Sequence, residues 1–136
     1  MAKKFKTEIV TPEKLVFSEE VESLVVPAER GYLGVLAGHA PLLCALQPGE
    51  IKLVRDGAES FLTTAGGFME IAGGKASLLT DSAEPVAEID VPRAQEAVKR
   101  AQERLGAAAK GVDRDRAKAA LERAQNRLRA ASKRKK

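Results

Sequence analysis

With one cysteine, one histidine and aromatic residues at only 4%, the 136-residue sequence is short of the side chains that disulfides, metal sites and nucleophilic sites need. Cys44 has no partner for an internal disulfide. It sits in the apolar stretch 41–46, the place of a small core residue rather than of a nucleophile. His39 stands alone, with no second His or Cys at ligand spacing, so no metal site is expected. A Ser-His-Asp signature, a phosphate-cradling P-loop and a GxGxxG turn after a strand are all missing, which leaves no nucleophile–base set and no catalytic residues. The last aromatic residue is Phe68, so the chain beyond it has no stacking platform for single-stranded nucleic acid. No stretch approaches the roughly 18 apolar residues of a membrane span, and residues 1–6 are basic without an apolar signal core. The expectation is a protein that stays on the cytoplasmic side.

Charge divides the chain more sharply than its total of +4. Residues 1–87 hold 8 Lys+Arg against 12 Asp+Glu, net −4, and residues 88–136 hold 15 against 7, net +8. Such an asymmetry points to two parts with different partners.

The first part alternates short β-type runs with turn signals. The runs are Phe5–Val10, 14–17, 21–26 ending at Pro27, 32–36, 41–46, 51–54, 60–65, 68–71 and 75–79. Breaks fall at Gly38-His39, Pro48-Gly49, Asp56-Gly57, Gly66-Gly67 and Gly73-Gly74. Short strands at this spacing predict an all-β sandwich or barrel, and no helical period competes with it. Roughly 80 residues can bury a modest core of their own. The polar stretch 81–88, with Pro85, reads as the connector that ends this domain.

The stretch Ile89-Asp90-Val91-Pro92-Arg93-Ala94 marks the change to helix. Asp90 suits an N-cap, Pro92 falls in the first turn where a missing N–H costs little, and Arg93 is within reach of an i,i+3 pair with Asp90. Helix one is predicted over 91–105, with Val91, Ala94, Val98, Ala101 and Leu105 on its apolar face. Gly106 and Gly111 bracket a break at 107–110, and Asp113 is the expected cap of helix two over 114–131. The second seam is Ala117, Leu121, Ala124, Leu128 and Ala131, so the two helices form an antiparallel hairpin. Alanine brings few methylenes at about 0.8 kcal/mol each, so this hairpin holds and docks weakly while good helix formers keep it helical.

The arginines fall into order on this hairpin. At about 100° per residue, Arg93 and Arg100 lie about 20° apart and about 10 Å along the axis, comparable to an extended triphosphate. Arg123 and Arg127 are an i,i+4 pair on helix two, offset from their seam in the same rotational sense. Both rows therefore share one face of the hairpin. Arg104 and Arg116 fall near it too, and exposed faces of basic helices often carry arginines.

Taken together, three stretches carry a family resemblance. They are Gly31-Tyr32-Leu33-Gly34-Val35-Leu36-Ala37-Gly38-His39-Ala40-Pro41-Leu42, then Ala65-Gly66-Gly67-Phe68-Met69-Glu70, then Ile89-Asp90-Val91-Pro92-Arg93-Ala94. The sequence resembles the epsilon subunits of bacterial F-type ATP synthases over essentially its whole length. The resemblance implies a flattened β-sandwich, residues 1–86, followed by a two-helix hairpin, residues 87–136, that acts as a mobile regulatory arm. It implies a non-catalytic subunit whose sandwich binds the gamma subunit and the c-subunit ring. It implies that the hairpin blocks ATP hydrolysis when extended into the alpha/beta catalytic head. Such a protein is peripheral, at the cytoplasmic face of the bacterial cell membrane, needs no cofactor, and in some members binds ATP as a regulatory ligand in the folded-down form. Ile89, Asp90, Arg93 and Ala94 match the pattern of that ATP site, and Glu84, Arg100, Arg123 and Arg127 match its further ligand positions. Tyr32 departs from the family, many of whose members carry an acidic residue there, in the loop that meets the c ring.

The competing reading is a nucleic-acid binder that sets the +8 hairpin against phosphates, without aromatic stacking to help it. The terminal cluster Lys133-Arg134-Lys135-Lys136 is either a solvated tail or a contact for acidic segments of the catalytic head.

Overall fold

A computed structural model describes residues 3–107 and 112–134, with the backbone alone for 112–113 and 132–134. The chain divides into two compact units, Met1–Pro85 and Val86–Lys136.

Among the described residues, the first unit holds ten strands: β1 Phe5–Val10, β2 Leu15–Val21, β3 Ser23–Ala28, β4 Gly31–Leu36, β5 Leu42–Leu46, β6 Gly49–Arg55, β7 Ala58–Thr64, β8 Gly67–Ala72, β9 Lys75–Thr80 and β10 Ala83–Pro85. The hydrogen-bonded path runs β10-β7-β6-β3-β5-β8-β9-β1-β2, with β4 on β3. A single pair, Ala28 with Leu46, joins β3 to β5 and so links the two halves of this path. Inward residues of both halves, among them Leu24, Ile51 and Leu53 on one side and Ile9, Met69 and Leu78 on the other, form one buried cluster. That is a β-sandwich built by period-2 alternation, as in β6, where Ile51 and Leu53 are buried while Glu50, Lys52 and Val54 are half-buried between them.

Three strand expectations need correction. Val21 closes β2 instead of opening the next strand. β3 runs through Pro27 to Ala28. The N–H and C=O of an antiparallel strand residue point to the same side, and the Pro27 carbonyl accepts from the Gln47 N–H at 2.8 Å, so the missing N–H lies away from the β4 ladder that pairs Pro27 with Tyr32. The stretch 81–88 is more than a connector. Ala83, Glu84 and Pro85 pair with Thr64, Thr63 and Leu62 as an added edge strand, and Val86–Glu88 forms a 3-10 turn.

In the second unit, α1 spans Val91–Ala107 and α2 spans Val112–Arg134. α2 packs against α1 and against the 3-10 turn. Gly106 lies inside α1 rather than after it, and α2 starts one residue before Asp113, so that residue is in the first turn and not the cap. The Asp113 side chain, most of the expected break at 107–110, Gly111, and the side chains of the cluster Lys133-Arg134-Lys135-Lys136 lie outside the described residues. The seam is narrower than its pattern suggested. Ala94 and Ala101 of α1 and Ala117, Ala124 and Ala131 of α2 are buried, whereas Val98, Leu105, Leu121 and Leu128 are only half-buried. These alanines recur at seven residues, close to two helical turns, so each helix presents a line of small side chains and the larger residues flank it. Asn126 and Ala130, which the pattern did not select, are buried as well.

Candidate functional site

The helix start is set by local chemistry. The Ile89 amide closes the 3-10 turn on the Val86 carbonyl at 3.1 Å, and Ile89 is buried. The Arg93 N–H donates to Asp90 Oδ1 at 3.2 Å, and the Ala94 N–H donates to the Asp90 carbonyl at 3.0 Å. Asp90 is thus the N-cap, satisfying one of the orphan amides of the first turn and placing a negative charge at the positive end of the helix. The expected Asp90–Arg93 pair forms through the backbone amide, and Arg93 itself is exposed.

The remaining residues of the expected set are spread along the hairpin and beyond it. Arg100 is exposed and 3.8 Å from Glu96 one turn earlier, a surface pair of small energy. Arg127 is half-buried. Glu84 is the central residue of β10, opposite Thr63, and belongs to the strand unit. Arg123 lines an open groove between α1 and α2 together with Arg104 and Arg116. The structure therefore gathers Ile89, Asp90, Arg93 and Ala94 into one turn, and brings Arg123 to two arginines that the expected set left out. Their signal was available: Arg116 and Arg123 are seven residues apart and so on one side of α2.

A second surface lies on the sandwich. The strand register places Ala45 opposite Phe68, Phe68 opposite Leu79, Leu79 beside Val10 and Val10 opposite Leu15. Their neighbours Met69, Leu78 and Ile9 point into the core, so this row lies on the outer face. Phe68 is 58% exposed, Leu79 61% and Leu15 54%, and Val10, Ala45, Phe68 and Leu79 line a groove of about 600 Å³. Together they form an exposed apolar strip on the outer face of the sandwich. Sequence reasoning missed it because its members come from five strands. Nearby, the Cys44 thiol is pushed up by burial, the behaviour of a packed side chain rather than a reactive one. At the β3–β4 end, Tyr32 is exposed, and its hydroxyl accepts from the Glu50 N–H at 3.2 Å, which holds the ring in place. Among the described residues, no helix is long and apolar enough to cross a membrane.

Residues 4–86 match the family described as ATP synthase, Delta/Epsilon chain, beta-sandwich domain, and residues 87–132 match its long alpha-helix domain. The chain is 45% identical over 69 residues to the ATP synthase epsilon chain of Dichelobacter nodosus, covering 50% of this chain and 48% of that one. It is 49% identical over 67 residues to the epsilon chain of Chlorobaculum tepidum, covering 48% and 76% respectively. In the first of these matches the alignment spans about half the length of the curated relative. Among solved structures, a chain of the Euglena gracilis mitochondrial ATP synthase, from an assembly of OSCP, F1 and c-ring, aligns with a TM-score of 0.80 at 24% identity, over 95% of this chain and 81% of that one. A chain of the Tetrahymena thermophila central stalk and c-ring assembly aligns with a TM-score of 0.65 at 14% identity, over 96% and 98%. At these identities the structural likeness establishes the fold.

Proposed function

This chain belongs to the ATP synthase delta/epsilon family, and from that premise we propose that it is a non-catalytic coupling and regulatory subunit of the central stalk of a rotary ATP synthase. In this reading the sandwich binds the gamma subunit and the c ring. The hairpin inhibits ATP hydrolysis when it extends into the alpha/beta head. The protein is peripheral, at the cytoplasmic face of the membrane. The observation that carries the reading is the outer apolar row Ala45, Phe68, Leu79, Val10 and Leu15, a surface suited to packing against another protein. A nucleic-acid binder would have no use for it, which favours the stalk over that alternative.

ATP is the proposed regulatory ligand, held by Glu84, Ile89, Asp90, Arg93, Ala94, Arg100, Arg123 and Arg127. The arginines neutralise the phosphates with bidentate geometry available to them. Asp90 contributes by capping α1, which fixes where Arg93 stands. The alanine seam supports a movable arm, since a ligand at about 100 times its dissociation constant adds about 2.7 kcal/mol to the state that binds it, comparable to what a few alanine contacts supply.

The test is reconstitution. Added to a bacterial synthase depleted of its own epsilon subunit, the full chain should co-purify with gamma and c subunits and lower ATP hydrolysis. Removing the hairpin should relieve the inhibition and leave co-purification intact. Recovery with DNA and not with the membrane sector would replace this reading by the alternative.

A further inference from the structure

The β6–β7 hairpin turns through two residues only, Asp56-Gly57, between the paired Arg55 and Ala58. Both take left-handed backbone, Asp56 at φ 52° and Gly57 at φ 80°, the type I′ geometry that Asp-Gly favours. Asp56 is the one non-glycine residue at positive φ among the described residues. Two side chains from distant parts of the chain close on this turn. Lys4, just ahead of β1, donates from Nζ to Asp56 Oδ1 at 2.7 Å. Glu22, between β2 and β3, accepts from the Gly57 N–H through Oε1 at 2.9 Å. The Glu22 N–H in turn donates to the Val54 carbonyl at 2.8 Å, so the main chain fixes where that carboxylate stands.

We propose that Asp56-Gly57 is a latent isoaspartate site, held shut by Lys4 and Glu22. The chemistry needs no reagent but water. The Gly57 nitrogen attacks Cγ of a neutral Asp56 carboxyl group. A C–N bond forms, the C–OH bond breaks, and the hydroxyl leaves as water with the N–H proton. The product is a five-membered imide. Water then opens it, at Cγ to restore aspartate or at the main-chain carbonyl to give isoaspartate, in which the chain runs on through Cβ. Gly57 suits this reaction, because it has no side chain to hinder the attack and the turn is exposed with open space around it. Isomerisation would add one main-chain atom to the turn. Loop length fixes the register of a hairpin, so the Arg55–Ala58 pairing beside it would not survive.

The two partners act on the two reacting groups. The Lys4 ammonium, by its hydrogen bond first and its charge second, holds the Asp56 carboxyl below the ordinary value of 3.8. The group therefore stays ionised, and a carboxylate is a poor electrophile. The Gly57 N–H is committed to Glu22, which pins the peptide plane and keeps the nitrogen from turning onto Cγ. A carboxylate is too weak a base to remove an amide proton, so Glu22 restrains the nitrogen rather than activating it.

The test is ageing of the full chain at physiological temperature and neutral pH. Digestion and mass spectrometry of the peptide containing residue 56 then measure isoaspartate directly. The folded parent should accumulate it more slowly than the same chain unfolded in urea. Lys4→Ala and Glu22→Ala should each raise the folded-state rate about fivefold, the factor that one hydrogen bond commands. Lys4→Arg and Glu22→Gln keep a donor and an acceptor in place and should stay near the parent. Asp81-Ser82, a second aspartate followed by a small residue, is the internal reference and should not change. Lys4 is exposed and precedes the first strand, so Lys4→Ala folds even where Glu22→Ala does not. Equal rates in the folded and unfolded parent, or unchanged rates in both alanine variants, overturn the proposal. So does an equal rise at residue 81, which would mark unfolding instead of release. Slower isomerisation without Glu22 overturns it as well, by making that carboxylate the activating group.

Discussion

The main-chain amide of Arg93 and the Asp90 carboxylate are 3.2 Å apart, so the junction between strands and helices is closed by a cap and not by an ion pair. One carboxylate oxygen is thereby committed to the helix, and the Arg93 guanidinium stays available at the positive end of α1, where anions are favoured. The same residue pair thus serves the fold through Asp90 and, in the proposed function, the ligand through Arg93.

Asp90→Ala should lower the stability of the hairpin by about 0.5–2 kcal/mol, the cost of losing an N-cap, whereas Asp90→Asn should retain most of it. Helical circular dichroism of the full chain during a thermal melt reads the difference. Equal melts for the two variants would mean the cap carries no weight.

Arg93→Ala and Arg127→Ala should each reduce ATP affinity without changing the melting of the sandwich, since neither residue belongs to the strand unit. Isothermal titration of the isolated chain is the measurement. The absence of both heat and thermal shift at millimolar ATP would leave the arginines as a solvated face.

Phe68→Glu should leave folding intact, because the side chain is 58% exposed on the outer face, yet weaken co-purification with the gamma subunit. A variant that binds as tightly as the parent would exclude the apolar row as the stalk contact.

Thr7→Val should stabilise the sandwich by about 1 kcal/mol. Thr7 is fully buried on β1, and among the described residues its Oγ1 has no hydrogen-bond partner. A higher urea midpoint at unchanged slope is expected, and a lower one would reveal a hidden partner.

Glu8 gives a pH dependence with a definite sign. The Lys75 ammonium beside it, with help from the Ser18 hydroxyl, holds its carboxyl below the ordinary value of 4.5. A carboxyl depressed in the folded state contributes stability above its unfolded pKa and loses it as the pH falls through the folded one. Glu8→Gln should therefore flatten the decline of stability below about pH 4.5 and change little near neutrality. An unchanged acid limb in a urea titration would remove this pair from the account.

Much of the molecule was legible in local sequence. Short apolar runs broken by Gly-Gly and Asp-Gly turns specified a sandwich, and the order Asp90-Val91-Pro92 specified a helix start, because side-chain alternation and capping depend on neighbours a few residues away. The charge split and the rows of arginines were legible for the same reason, as rotation about a helix is fixed by sequence spacing alone. The pairing of β10 with β7 was not, since Ala83-Glu84-Pro85 is too short and too polar to announce a strand until an open edge receives it. Nor was the narrowing of the seam to alanines, which depends on how closely two helices approach. The outer row joins residues 45, 68, 79, 10 and 15, and the groove joins 104 to 116 and 123. Both are made by register and packing between segments distant in the chain, where a shift of one residue would turn every strand side chain to the opposite face.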